Sequence, residues 1–81
     1  MSDLSGTVRA VANGFAAVET RRGHVLLELM GQEPEGGDEV TGIQFMHGGQ
    51  RVEVHGRELS VFVQQLDATW ESARRGMGLS G

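Results

Sequence analysis

The sequence contains no cysteine, no lysine and no tyrosine. Without cysteine, neither a disulfide framework nor a thiolate metal site is available. Proline occurs once, at position 34, and the aromatics are Phe15, Phe45, Phe62 and Trp70. No apolar run approaches the ~20 residues of a membrane-spanning helix. The opening "MSDLSGTV" lacks a signal-peptide pattern. These absences lead us to expect a soluble, cytoplasmic protein with no membrane association. Positive charge is also scarce: seven arginines face eleven acidic residues, for a net charge of −4. Non-specific affinity for nucleic acid comes largely from neutralising phosphates, so a strong electrostatic grip on a polynucleotide is not expected.

What the chain does have is glycine, thirteen in 81 residues, punctuating short runs of apolar and β-branched residues. This spacing predicts an all-β fold, a small antiparallel barrel. Strands are expected over 5–12, 15–20, 24–30, 39–46, 51–55 and 58–65. Asn13-Gly14 reads as a tight turn, because both residues tolerate positive φ. Further turns are expected at 21–23, at "HGGQ" (47–50) and at Gly56-Arg57, with an acidic loop over 31–39. Apolar residues alternate in the second, third and sixth strands, so one face of each is buried. Val25, Leu27 and Leu29 share one face, as do Leu59, Val61 and Val63. Gly42 marks a bulge in the fourth strand. A short helix is expected over 67–76, with Asp67 as N-cap and Gly76 just past its end. Trp70, Ala73 and Met77 lie on one helical face, which plugs the barrel or meets a partner. The chain is long enough for one domain, 1–81, burying only ~60% of its unfolded surface.

The stretch "SGTVRAVANGFAAVETRRGHVLLEL" (5–29) carries a more specific signal. Gly6-Thr7-Val8-Arg9, Gly14-Phe15-Ala16-Ala17-Val18 and Val25-Leu26-Leu27-Glu28 follow the order of three strand motifs. Gly37-Asp38-Glu39-Val40 follows the opening of a fourth. In this order they resemble the cold-shock domain, a small OB-fold barrel. The resemblance covers about half of the chain. It implies an OB-like barrel that binds single-stranded RNA or DNA on the outward face of its first three strands. Phe15 then keeps one stacking position, and Arg9 stands where the family has Lys. Ala17 and Leu26 replace two further aromatics, and Glu28 replaces a His. Ala10 and Val11 also stand where aromatics are expected. Base–aromatic stacking contributes ~1–3 kcal/mol per base, so binding through Arg9, Phe15, Ala17, Leu26 and Glu28 is expected to be weak. Phe15 also reads as a half-exposed strand residue packed under the strand-five or the C-terminal segment.

Other constellations carry less. His24, His47 and His55 have no recognised ligand spacing, so no metal or other cofactor is expected. No serine lies in a Gly-x-Ser-x-Gly elbow, and no base is patterned beside one. Gly36-Gly37 lacks the Lys-Ser/Thr of a phosphate loop. Glu33, Glu35, Asp38 and Glu39 lack the ligand order of a calcium loop. The expectation is a non-enzymatic binding module for single-stranded nucleic acid. The alternative is a protein-interaction or assembly module, supported by the acidic balance and the outward apolar residues Leu26, Met30 and Phe62.

Overall fold

The computed structural model describes residues 3–79. Six strands, β1 (Leu4–Ala12), β2 (Phe15–Thr20), β3 (Gly23–Leu29), β4 (Glu39–Ile43), β5 (Gly48–Val54) and β6 (Arg57–Ala68), precede one helix, α1 (Trp70–Gly76). The strands close into an antiparallel barrel in the order β1-β2-β3-β6-β5-β4. Two three-stranded meanders, β1–β3 and β4–β6, are joined along β3–β6 and β1–β4. The all-β class and the terminal helix match the sequence expectation.

Local chemistry sets the turns. Asn13 and Gly14 both have positive φ, as do His55 and Gly56. Each pair fills the two-residue connection of a hairpin whose twist requires left-handed central residues. The second turn is therefore His55-Gly56, one residue earlier than expected. The β4–β5 connection also differs from expectation. β4 ends at Ile43, and Gly48–Gln50 belong to β5 rather than to a turn. Here the Gln50 side chain closes the turn. Its Oε1 accepts from the Gln44 N–H at 2.8 Å, and its Nε2 donates to the Gln44 carbonyl at 3.0 Å.

The barrel interior is lined mainly by valine and leucine, with Val8, Val18, Val25, Leu27, Val61 and Val63 among its most buried members. β-Branched residues suit this interior because they pack well on a pleated surface. Two irregularities shape the outside. In β1 the register slips between Val8 and Ala10, which makes Arg9 the extra residue of a bulge and re-aims its side chain. In β6 the pairing with β3 slips twice, between Leu27 and Leu26 and between Leu26 and His24. Asp67, at φ 51, sits in this second slip and bends the strand toward α1.

The helix starts at Thr69, not at Asp67: the Thr69 hydroxyl accepts the Ser72 N–H at 3.1 Å. It ends on Gly78, at φ 83, rather than on Gly76. The Gly78 N–H donates to the Arg75 carbonyl and the Leu79 N–H to the Arg74 carbonyl, both at 3.0 Å. This pair of bonds is a Schellman stop, which needs a left-handed residue at that position.

Candidate functional site

The outward side of β1, β2 and β3 is where the expected binding residues lie, and α1 covers it. Ala17, Leu26, Ala73 and Met77 form a second apolar cluster, separate from the barrel interior. Ala10, Ala12, Phe15, Trp70 and Leu79 pack around it. Trp70, Ala73 and Met77 thus share a face as expected, and that face lies on the barrel's flank. Ala17 is 0% exposed and Leu26 is 1% exposed. Both point outward from the barrel, as the alternation implies, but neither can touch a ligand while α1 is docked. Leu26 is therefore unavailable as an exposed contact for a protein partner too.

Small side chains make this docking possible. A Cβ built on Gly76 would lie 2.5 Å from Leu26 Cδ2 and 2.5 Å from Gln65 Nε2. The helix backbone therefore rests almost directly on β3 and β6. Ala10, Ala12 and Ala17 leave the room for it on the strand side. The alanines that look like lost aromatics have a structural reason: rings at those positions would hold α1 away. The helix is tied down at both ends. Asn13 Nδ2 donates to the Met77 carbonyl at 2.7 Å. The Gln65 amide bonds to the Ser72 carbonyl and hydroxyl at 3.3 and 2.9 Å.

Arg9 and His24 are drawn into the same assembly. The Arg9 guanidinium stacks on Trp70, 4.1 Å from the ring centroid, in a cation–π arrangement. The His24 ring lies 5.7 Å from Trp70. An Arg9 N–H donates to His24 Nε2 at 3.3 Å. A guanidinium only donates, so His24 Nε2 is the acceptor of this contact. Arg9 is thus engaged with its own chain.

Phe15 and Glu28 lie at the margin. Register pairs place Ala12, Phe15, Glu28, Phe62 and Gly49 in one row across five strands. α1 shelters the Ala12–Phe15 end, leaving Phe15 half-buried. At the other end Phe62 is 39% exposed, and Glu28 Oε1 accepts from Gln64 Nε2 at 2.8 Å. Met30, 61% exposed, lies one row on, where its N–H donates to the Ser60 carbonyl at 3.2 Å. Arg51 pairs with Ser60 from the other side. The outward face of β3–β6–β5 therefore presents Phe62 with Met30 beside it, flanked by Glu28 and Arg51.

A concave feature lies between the 30–38 loop and the β5–β6 turn. It is an open cleft of about 400 Å³ with Pro34, Asp38, Val54, His55, Arg57 and Leu59 in its lining. Asp38 anchors it. Its Oδ2 accepts the Glu35 N–H at 2.9 Å and its Oδ1 meets His55 Nε2 at 3.0 Å. The Glu35 N–H, and after it His55, hold the Asp38 carboxyl below its usual value. Asp38 and His55 meet at the open end of the β4–β5 hairpin, just beyond the Val40–Val54 pair. The loop is also tied to β1, since the Val8 N–H donates to the Asp38 carbonyl and the Gly37 N–H to the Val8 carbonyl.

His24, buried beneath Trp70, and His55, at the cleft, are held in different parts of the molecule. Among the described residues, no group of three or more His, Cys, Asp or Glu is placed to hold a metal ion. No described helix is long and apolar enough to cross a membrane. No protein-family model, curated protein or solved structure matches this chain.

Proposed function

We propose that the chain is a non-catalytic, OB-like binding module of the cytoplasm that engages a protein through the outward face of β3–β6–β5. One observation carries this reading. The part of the β1–β3 face around Ala17 and Leu26 is covered by the chain's own helix, whereas Phe62 on β6 and Met30 just past the end of β3 remain exposed. An exposed aromatic beside an apolar neighbour, rimmed by polar groups, is the composition of an interaction surface. The net charge of −4 also favours a protein over a polyanion.

The competing reading is weak single-stranded nucleic-acid binding on Phe15 and Arg9, which requires α1 to leave its seat. Two measurements separate them. Amide-resolved titration with short oligo(dT) and oligo(rU) at low salt is expected to leave β1–β3 unshifted. A photo-reactive phenylalanine at position 62, but not one at the exposed Glu19, is expected to cross-link a discrete polypeptide in cells. Shifts of Phe15 and Arg9 with an oligonucleotide, together with loss of α1 protection, would reverse the conclusion.

A further inference from the structure

We infer that the protein on this face is a second copy of the chain, docked about a two-fold axis that runs along β6 through Phe62. The inference rests on the protein-binding reading above and adds the identity of the partner.

Isologous contacts need a patch that complements itself. Phe62 lies at the centre of the exposed row, with Glu28 one strand to one side and Gly49 one strand to the other. Met30 and Arg51 lie level with Ser60, two residues along β6. Strands are ~4.8 Å apart and residues rise ~3.3 Å each. A two-fold along β6 therefore places Phe62 against Phe62. It places Glu28 over the partner's bare Gly49 backbone, and the partner's Arg51 over Met30. From there the partner's Arg51 is ~6.6 Å along the strand from Glu28, within the span of an arginine side chain. The symmetry makes this contact twice.

Charge selects this axis over the other in-plane choice. A two-fold running across the strands through the Phe62 row would set Glu28 against Glu28. The bare surface at Gly49 also fits: a Cβ there would meet only the Val61 carbonyl, at 4.0 Å, so the Glu28 carboxylate of the other copy has room. The intramolecular contacts that give way are exposed ones, Glu28 with Gln64 and Arg51 with Glu58 at 3.9 Å, and such surface pairs are worth little. Glu58 opposes the assembly. It lies close to the axis, ~13 Å along β6 from Phe62, and faces its own copy. The convex barrel surface and this repulsion make the dimer a weak one.

The test is sedimentation of the full chain from ~10 μM to ~1 mM, which spans dissociation constants of a weak complex. The weight-average mass is expected to rise from 8.7 kDa toward twice that value. Phe62→Ser, Glu28→Arg and Arg51→Glu are each expected to weaken association at least tenfold, and Glu58→Gln to strengthen it. The decisive arm mixes Glu28→Arg protomers with Arg51→Glu protomers. Each alone sets like charges together. A mixed dimer instead pairs the two substituted side chains, of opposite charge, at one contact and the native Glu28 with the native Arg51 at the other. Recovery of a dimer in the mixture is expected, and neither a folding defect nor a foreign partner produces it. A monomer at every concentration, or no recovery on mixing, overturns the two-fold dimer. The cross-link from position 62 then decides separately whether a different protein binds the face. Far-UV circular dichroism of each variant establishes that the barrel is intact.

Discussion

Gly76→Ala sets two effects of opposite sign against each other. Glycine at the end of α1 is a poor helix former, and alanine in its place favours the folded state by up to ~1 kcal/mol. At the last helical position the gain is smaller, because few helical bonds follow it. Against this stands the close seat of the helix. The added methyl meets Leu26 Cδ2 and Gln65 Nε2 at 2.5 Å each. Gln65 can swing away, but it then gives up its bonds to Ser72, at ~0.5–1.5 kcal/mol for a typical hydrogen bond. Leu26 is 1% exposed and clustered with Ala17, Ala73 and Met77, so its methyl moves only if the helix does. Overpacking of this kind costs ~1–3 kcal/mol. The steric effect wins, and a net loss of ~1–2 kcal/mol is expected, or roughly 4–8 °C in Tm per kcal/mol for a domain of this size. Urea and thermal unfolding, followed by Trp70 emission and by far-UV circular dichroism, measure it. A midpoint at or above that of the wild type would refute the close seating of α1, since helix propensity alone would then have decided the sign.

Three other perturbations probe neighbouring parts of the fold. Gly6→Ala places a methyl against the Glu19 backbone carbonyl, which cannot swing aside, so a loss larger than that of Gly76→Ala is expected in the same unfolding assay; an unchanged midpoint would show β1 and β2 to be less tightly apposed. Asn13→Ala removes both a residue suited to φ 55 and the 2.7 Å bond to the Met77 carbonyl; together these are expected to cost ~1–3 kcal/mol, with faster amide exchange at Met77–Leu79, and unchanged exchange there would mean that the turn does not hold the helix end. Asp38 has its pKa lowered below 3.8, first by the Glu35 N–H and then by His55, so its contribution is fully present above that value and is lost as the pH falls through the lowered folded-state pKa; the stability gap between wild type and Asp38→Asn should therefore narrow below ~pH 4, and a gap constant from ~pH 7 to ~pH 2 would contradict this.

Much of the barrel is legible because period-two alternation and turn chemistry are local. β2 has the bounds read from the sequence, and Asn13-Gly14 is a tight turn because both residues accept left-handed backbone. The misreadings have physical causes. Gly48-Gly49 resembles a turn in composition, yet both residues lie in β5, and a side chain from Gln50 closes the turn before them. Asp67 has the chemistry of an N-cap, but the slip in β6 places it at φ 51 within the strand, and Thr69 caps the helix instead. The Asp38–His55 contact joins residues 17 apart in sequence at the end of the β4–β5 hairpin, and a turn placed at 47–50 sets those two strands in a different register and hides it.

The candidate face was half legible for a different reason. Alternation separates inward from outward positions but does not say what covers the outward ones. Ala10, Ala12 and Ala17 on the strands, with Ala73 and Gly76 on the helix, are a set of small residues that lets two backbones approach. A base-stacking platform makes the opposite demand at the same positions, because it needs broad rings left open to solvent. The two requirements exclude each other: a ring at 17 would lift α1, and a docked α1 buries position 17. The chain carries the small residues, and its lone tryptophan lies on Arg9 from the helix side rather than standing on a strand. The open end of the row is then the one with Phe62, where Glu28 and Arg51 flank an aromatic on opposite strands. The proposed recognition face is therefore the end of the row that the helix leaves bare, not the strands it shelters.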